Sequence, residues 1–217
     1  MSALPDRIPF SGRLTFEEEP HLYTLDGEVI PGITSILKAA RLLDDSFYSV
    51  EARERGVAVH LAIQYLIEGD LQRDSLAPLI LPYVEAWERF AIEMHWQPVE
   101  APELLVGSEV LRFATRIDGI GRVNGSPLLV VNNWKSGGPE PWHAVQSAGE
   151  AVAYAETTGR ATTYGLRRAA LYLRNDGTYR WHEHETKCAG RDVDDFRAAA
   201  RVYHCQERFG RRARKET

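Results

Sequence analysis

Apolar and polar positions change period along this chain, and the changes mark out its elements. Residues 116–137 read RIDGIGRVNGSPLLVVNNWKSG. An alternating run, the dipeptide Asn124-Gly125 and a continuous apolar run predict a β-hairpin, because both turn residues accept positive φ. A two-residue turn sets Val123 opposite Ser126 and Asp118 opposite Val131. Asp118, Val131, Asn133 and Lys135 then project to one face, with Asp118 and Asn133 diagonal neighbours about 5–8 Å apart. Similar patterns predict a hairpin around Asp26-Gly27 within residues 16–31, and another around 175–177 within residues 165–185. Thr34 is placed to cap a short helix through Arg41. Ser49 caps a long helix that ends at Glu68, with Gly69 as its stop. That helix is apolar nearly all round over 57–67, which predicts burial. One or two helices follow over 76–94, with Pro82 at a start or kink. Strands are expected over 99–106 and 109–118, with Gly107-Ser108 turning between them. Pro141 opens a helix running to about Thr158, ending at Gly159. Asp192 caps a last helix to about Phe209, ending at Gly210.

Length and composition narrow the class. The 217 residues suit one domain: an N-terminal elaboration at about 10–45, a core at about 49–209 and a basic tail at 210–217. No apolar run reaches 18 residues, so no membrane span is expected. The first residues, MSALPDRIPFSG, lack a basic-then-apolar signal, which predicts a cytoplasmic protein. Cys188 and Cys205 have no metal spacing and suit a reducing compartment. A net charge of −5 opposes nucleic-acid binding by the whole surface but permits a local basic groove. The cations are mostly arginine, which suits phosphate contacts and equally a GC-rich coding sequence.

Several side chains bear on chemistry. The hairpin gathers Asp118, Asn133 and Lys135. Gly56 costs its helix about 1 kcal/mol, which predicts close approach of another backbone. His60 lies one turn further on the same face; alone, it reads as a hydrogen-bonded core histidine. Glu103 opens an apolar strand, with Glu100 as the alternative acid. Gln146, Glu150 and Tyr154 fall on one helical stripe. His182 and His184 share a strand face and suggest zinc only weakly, for want of further ligands.

Asp118, then an apolar strand ending Asn133-Trp134-Lys135-Ser136-Gly137, resembles the core of the PD-(D/E)xK nucleases. It is most similar to the RecB-like and phage-type exonuclease branch, in which that strand usually ends Asp-x-Lys-Thr-Gly. Gly56-x-x-x-His60, the N-terminal hairpin with its short helix, and Gln146 on the following helix extend the resemblance across most of the chain. Two positions depart from it: Asn133 replaces an Asp or Glu, and Glu150 stands where a tyrosine is expected, with Tyr154 one turn later.

The resemblance implies an α/β (α+β) fold with a restriction-endonuclease-like core, a central mixed sheet flanked by helices. It implies His60, Asp118, position 133 and Glu103 as metal ligands for Mg²⁺ or Mn²⁺. Lys135 becomes the catalytic amine acting with Asp118 and Asn133, and Gln146 and Tyr154 the substrate contacts. The implied function is a metal-dependent DNA nuclease, an exonuclease, impaired here because neutral Asn133 weakens metal binding, whether by an engineered Asp→Asn exchange or by natural degeneration. The alternative is a catalytically inactive DNA-binding or assembly protein on the same fold. Its partner is DNA, single- or double-stranded; a homo-oligomer or a recombination or replication partner is left open.

Overall fold

The protein is described by a computed structural model covering residues 11–44, 46 and 48–215, with side chains through residue 210. The first ten residues and the basic side chains at 211–215 lie outside this description.

The fold is α/β, with a central mixed sheet flanked by helices. Three N-terminal strands, β1 (Leu14–Glu17), β2 (Leu22–Leu25) and β3 (Glu28–Ile30), form an antiparallel sheet. The expected hairpin is β2–β3, turning on Asp26 and Gly27 with φ of 53° and 80°. Helix α1 (Ile33–Ala39) follows, but Gly32 is its N-cap and no side chain caps it, so Thr34 lies inside the first turn. Helix α2 (Val50–Glu68) matches its prediction at both ends: Ser49 Oγ accepts from Ala52 N at 3.2 Å, and Gly69 closes it at φ 81°. Helix α3 (Leu81–Glu93) begins beside Pro82.

The next segment differs from expectation. The strand expected over 99–106 splits into β4 (Gln97–Pro98) and β5 (Leu104–Ser108). Gly107-Ser108 is inside β5, and the turn lies at 109–112, before β6 (Phe113–Ile117). Gly107 is needed for close approach rather than for turning: an added Cβ would stand 3.0 Å from the Phe113 carbonyl oxygen.

Asp118 occupies a bend between β6 and β7 (Gly119–Arg122), which pairs with β8 (Leu129–Lys135). The Asn124-Gly125 turn forms as predicted, both residues having positive φ and Ser126 N donating to Val123 O at 3.0 Å. Gly119 nevertheless faces Asn132, not Val130, so the ladder is slipped by two residues from its expected register. Pro127 has no N–H to give the ladder, and the chain bulges past 127–128 before pairing resumes. A slip of two preserves every face, whereas a slip of one would have reversed them.

Helix α4 (Trp142–Thr157) crosses from β8 to the parallel strand β9 (Leu166–Leu173), and β10 (Tyr179–Glu183) completes the sheet in the order β10-β9-β8-β7-β4. Helix α5 (Ala189–Lys215) starts before Asp192 and runs through Gly210, longer than predicted at both ends. Asp192 is held instead by the buried Arg168, whose Nη2 donates to its Oδ2 at 2.6 Å. Among the described residues, no helix is long and apolar enough to cross a membrane.

Strand β8 divides the core. Leu129 and Val131 pack with α1, α4 and α5 on one side. Val130 and Trp134 pack with α2 and α3 on the other. Helix α2 is only half covered: Val59, Ala62 and Ile63 are buried, while Val57, Leu61 and Tyr65 form an exposed stripe. Full burial of this helix was expected; only one of its faces meets the sheet and α3.

Two measurements test this packing. Gly149 of α4 lies against the buried Phe196 of α5, and a Cβ there would meet the ring at 2.6 Å. Helix propensity favours Gly149→Ala by about 1 kcal/mol, but overpacking opposes it by about 1–3 kcal/mol. Urea unfolding of G149A is expected to show a net loss of stability.

The second measurement is pH dependence. Nδ1 of the buried His143 accepts from Glu140 N at 3.3 Å and lies 2.9 Å from Tyr172 Oη, so a proton there would remove the Glu140 bond. Burial, aided by the Lys135 charge, pushes the His143 pKa down to about 3. Burial, aided by the Arg168 charge, pushes His184 down to about 4. Both are neutral in either state above about 6.5. Between 6.5 and their folded values only the unfolded chain takes up the protons. Stability should therefore fall as pH drops through this window, by up to about 1.4 kcal/mol per pH unit per histidine. Denaturation from pH 7 to 4.5 should show this slope, reduced in His143→Asn and in His184→Asn.

Candidate metal centre

The residues that sequence singled out converge at the carboxyl end of β8, where α2 and α4 approach from opposite sides of the sheet. The residue that joins them is Trp134, which sequence reasoning passed over. Its buried indole packs 5.9 Å from the His60 ring and 6.1 Å from Trp87, centroid to centroid. Its backbone N donates to Asp118 Oδ2 at 2.6 Å, and its carbonyl oxygen lies 2.9 Å from His60 Nε2.

A backbone carbonyl only accepts, so Nε2 carries the hydrogen and donates it to Trp134. The other ring nitrogen, Nδ1, faces two carboxylates: Glu103 Oε1 at 3.2 Å and Asp118 Oδ1 at 3.5 Å. One ligand atom from each of His60, Glu103 and Asp118 fits within 4.8 Å of the others. An imidazole anchored through one nitrogen to a backbone carbonyl, with the other free to ligate, is the usual setting of a metal-binding histidine.

The electrostatics also fit a cation. Burial, with the Glu103 charge adding to it, raises the Asp118 carboxyl above its ordinary range against the opposing pull of His60 and Lys135. Burial lowers the His60 pKa, but the Asp118 charge and the Glu103 hydrogen bond outweigh it, so the net shift is upward. Burial raises the Glu103 pKa, but His60 and Arg116 outweigh it, so its net shift is downward. Without a metal, His60 Nδ1 stands between two converging carboxylates that favour its charged form. A divalent cation satisfies the same charges with oxygen and nitrogen ligands suited to Mg²⁺ or Mn²⁺.

Glu103 sits at φ 54°, and Arg116 Nε holds its other oxygen at 3.4 Å. Arg116 lies two residues before Asp118, hence on its side of the chain, which is the signal that could have found it. Glu100 is engaged elsewhere, accepting from Tyr154 Oη at 3.0 Å. Burial, aided by Glu100, pushes the Tyr154 pKa up to about 12. The structure does not bring Tyr154 into the cluster.

Across from the triad, Lys135 Nζ donates to Asn133 Oδ1 at 3.3 Å and to Gln146 Oε1 at 3.1 Å. Asn133 Nδ2 donates to Glu150 Oε2 at 2.5 Å, and Gln146 Nε2 to Glu150 Oε1 at 2.9 Å. These four bonds close a ring. Glu150 is therefore buried in the site, not part of a solvated polar stripe. Burial, with Asp118 adding, pushes its pKa up to about 8, while Lys135 and the two amide donors pull it down. Asn132 points to the opposite face, as its position predicts, and its buried amide makes no hydrogen bond among the described residues.

Gly56 does not serve backbone approach, as its helical position suggested. A Cβ there would have Ser136 Oγ as its nearest neighbour, at 3.8 Å. Gly56 and His60 instead border two cavities. One, of about 270 Å³, contains Arg53, Arg55, Lys135 and Trp142 in its wall. The other, of about 240 Å³, contains Glu18, Glu103 and Arg116. Among the described residues, His182 and His184 join no group of three ligands, so zinc has no site there. Cys188 and Cys205 are free thiols.

No family model matches the chain. No curated protein matches it either. Among solved structures it is similar to an alkaline exonuclease, LHK-Exo, from Laribacter hongkongensis, with 15% identity and a TM-score of 0.40 over 84% of this chain and 93% of that one. It is also similar to LHK-Exo in complex with dAMP, with 14% identity and a TM-score of 0.34 over 87% of this chain and 95% of that one.

Proposed function

We propose that this chain is a divalent-metal-dependent deoxyribonuclease that hydrolyses phosphodiester bonds, of the exonuclease type its sequence resemblance implies. The observation that supports the reading is the convergence of His60, Glu103 and Asp118 within 4.8 Å beside Lys135. His60 Nδ1 and the two carboxylates would hold Mg²⁺ or Mn²⁺. Such an ion, when bound, supplies acidified water and neutralises charge developing on a phosphoryl group.

The protein's own groups do the rest. The Trp134 peptide fixes Asp118 and His60 before substrate arrives, so little reorganisation is needed. Lys135 is held by two amide oxygens. Neither carries charge, so the ammonium keeps its field for an incoming phosphate. Cavities on both sides of Gly56 and His60 give a strand room to pass the triad. The arginines in their walls offer planar donors to flanking phosphates.

The test is release of nucleotides from linear single- and double-stranded DNA with Mg²⁺ or Mn²⁺. Activity should vanish with chelator. Asp118→Asn, which keeps an oxygen toward Trp134 N, and Lys135→Ala should each lower the rate by about 10²–10³. A folded parent that binds Mn²⁺ and DNA but cleaves neither substrate would refute the nuclease reading in favour of a DNA-binding protein. DNA affinity itself should fall steeply with salt.

A further inference from the structure

Two positions depart from the pattern the chain resembles, and they touch. Asn133 on β8 replaces an acid; Glu150 on α4 adds one. Their side chains are 2% and 1% exposed respectively, and Asn133 Nδ2 meets Glu150 Oε2 at 2.5 Å.

Donor and acceptor accounting shows how closely they fit. Asn133 uses its oxygen toward Lys135 and its NH₂ toward Glu150; Gln146 does the same from the other side. Glu150 presents acceptors to both amides, and Lys135 presents donors to both. Each amide is thereby oriented by the charges at its two ends. An aspartate at 133 has no N–H to give Glu150. It would set two buried carboxyl groups against each other, and like charges so close cannot both persist. A glutamine at 150, by contrast, would give an aspartate at 133 the donor it needs.

We propose that Asn133 and Glu150 are one exchanged pair: the acid expected on β8 has moved to α4, from which Glu150 orients Asn133 and Lys135 and, where a nearby dication favours its ionised form, supplies the site's third negative charge. The charge role rests on the metal-dependent reading above; the pairing does not. Glu150 is thus a positioning residue, and Asn133 is no lesion. On this reading Asn133→Asp alone should not raise activity.

A double-mutant cycle tests this with the parent, Asn133→Asp, Glu150→Gln and the double variant. Thermal unfolding without metal reads the pairing. Asn133→Asp should lower Tm by about 5 °C or more, and adding Glu150→Gln should restore most of the loss. Mn²⁺ titration calorimetry reads the charge. Glu150→Gln should weaken affinity about tenfold or more, and the double variant should bind at least as tightly as the parent. A purely structural Glu150 would not show that rescue. Additive Tm losses, or an unchanged Tm in Asn133→Asp, overturn the pairing. Parent-like Mn²⁺ affinity in Glu150→Gln overturns the charge role. If Asn133→Asp fails to fold, a folded double variant supports the pair and an unfolded one overturns it. If none of the four binds Mn²⁺ while the Tm losses still compensate, the metal reading fails and the pair stands.

Discussion

The peptide of Trp134 carries the site. Its N–H fixes Asp118 and its carbonyl fixes His60, so one residue at the end of β8 sets the distance between an acid from the preceding bend and an imidazole from α2. What holds that peptide still is the indole, fully buried against α2 and α3. Hydrophobic packing on one face of the sheet is therefore converted into electrostatic geometry at its edge. Interiors pack densely and resist small shifts, so Asp118 and His60 inherit the rigidity of the core rather than of a loop.

Strand alternation explains why two kinds of chemistry meet here without interfering. Asn133 and Lys135 face α4, where Gln146 and Glu150 complete a closed polar ring. Trp134, between them, faces α2, where His60 arrives. A buried polar network is stable when every member is satisfied and costly when one is not. In this ring both amides are used at each end and Glu150 accepts at both oxygens. The ring orders Lys135, while the Trp134 peptide orders the ligand triad. The two sets are joined by the backbone of β8 and by the charges of Asp118 and Lys135, which act across it.

Much of this was legible in the sequence because parity in a strand is robust. The two-residue slip past Pro127 changed which residues pair but left Asn133 and Lys135 on one face of β8, with Asp118 in the bend that precedes β7. The ends of α2 were legible too, because Ser49 and Gly69 act through local backbone rules. Other features were not. Thr34 and Asp192 are good capping residues that do not cap: Thr34 lies inside the first turn of α1, and Asp192 is drawn to the buried Arg168. No local pattern announces the break between β4 and β5, at the end of which Glu103 takes a positive φ. Tyr154 shares a stripe with Gln146 and Glu150, yet Glu100 holds it, because a stripe fixes direction and not reach. Sequence treated Asn133 and Glu150 as separate anomalies; only the crossover of α4 back to the sheet brings them together.

Gly56 shows how a missing side chain can be functional without strain. It sits in ordinary helical conformation in α2, and its nearest neighbour is a distant hydroxyl. The helix gives up roughly 1 kcal/mol of propensity at this point, with no close packing to offset it. What it gains is an opening: the two cavities flanking His60 meet along the same turn. A larger residue would project toward Ser136, into the wall the two cavities share. A substrate that must present phosphates on both sides of a metal needs that gap, whereas a ligand filling one cavity does not. Under the proposed nuclease function, the glycine suits a polymer better than a small molecule, as do the arginines in the walls on either side.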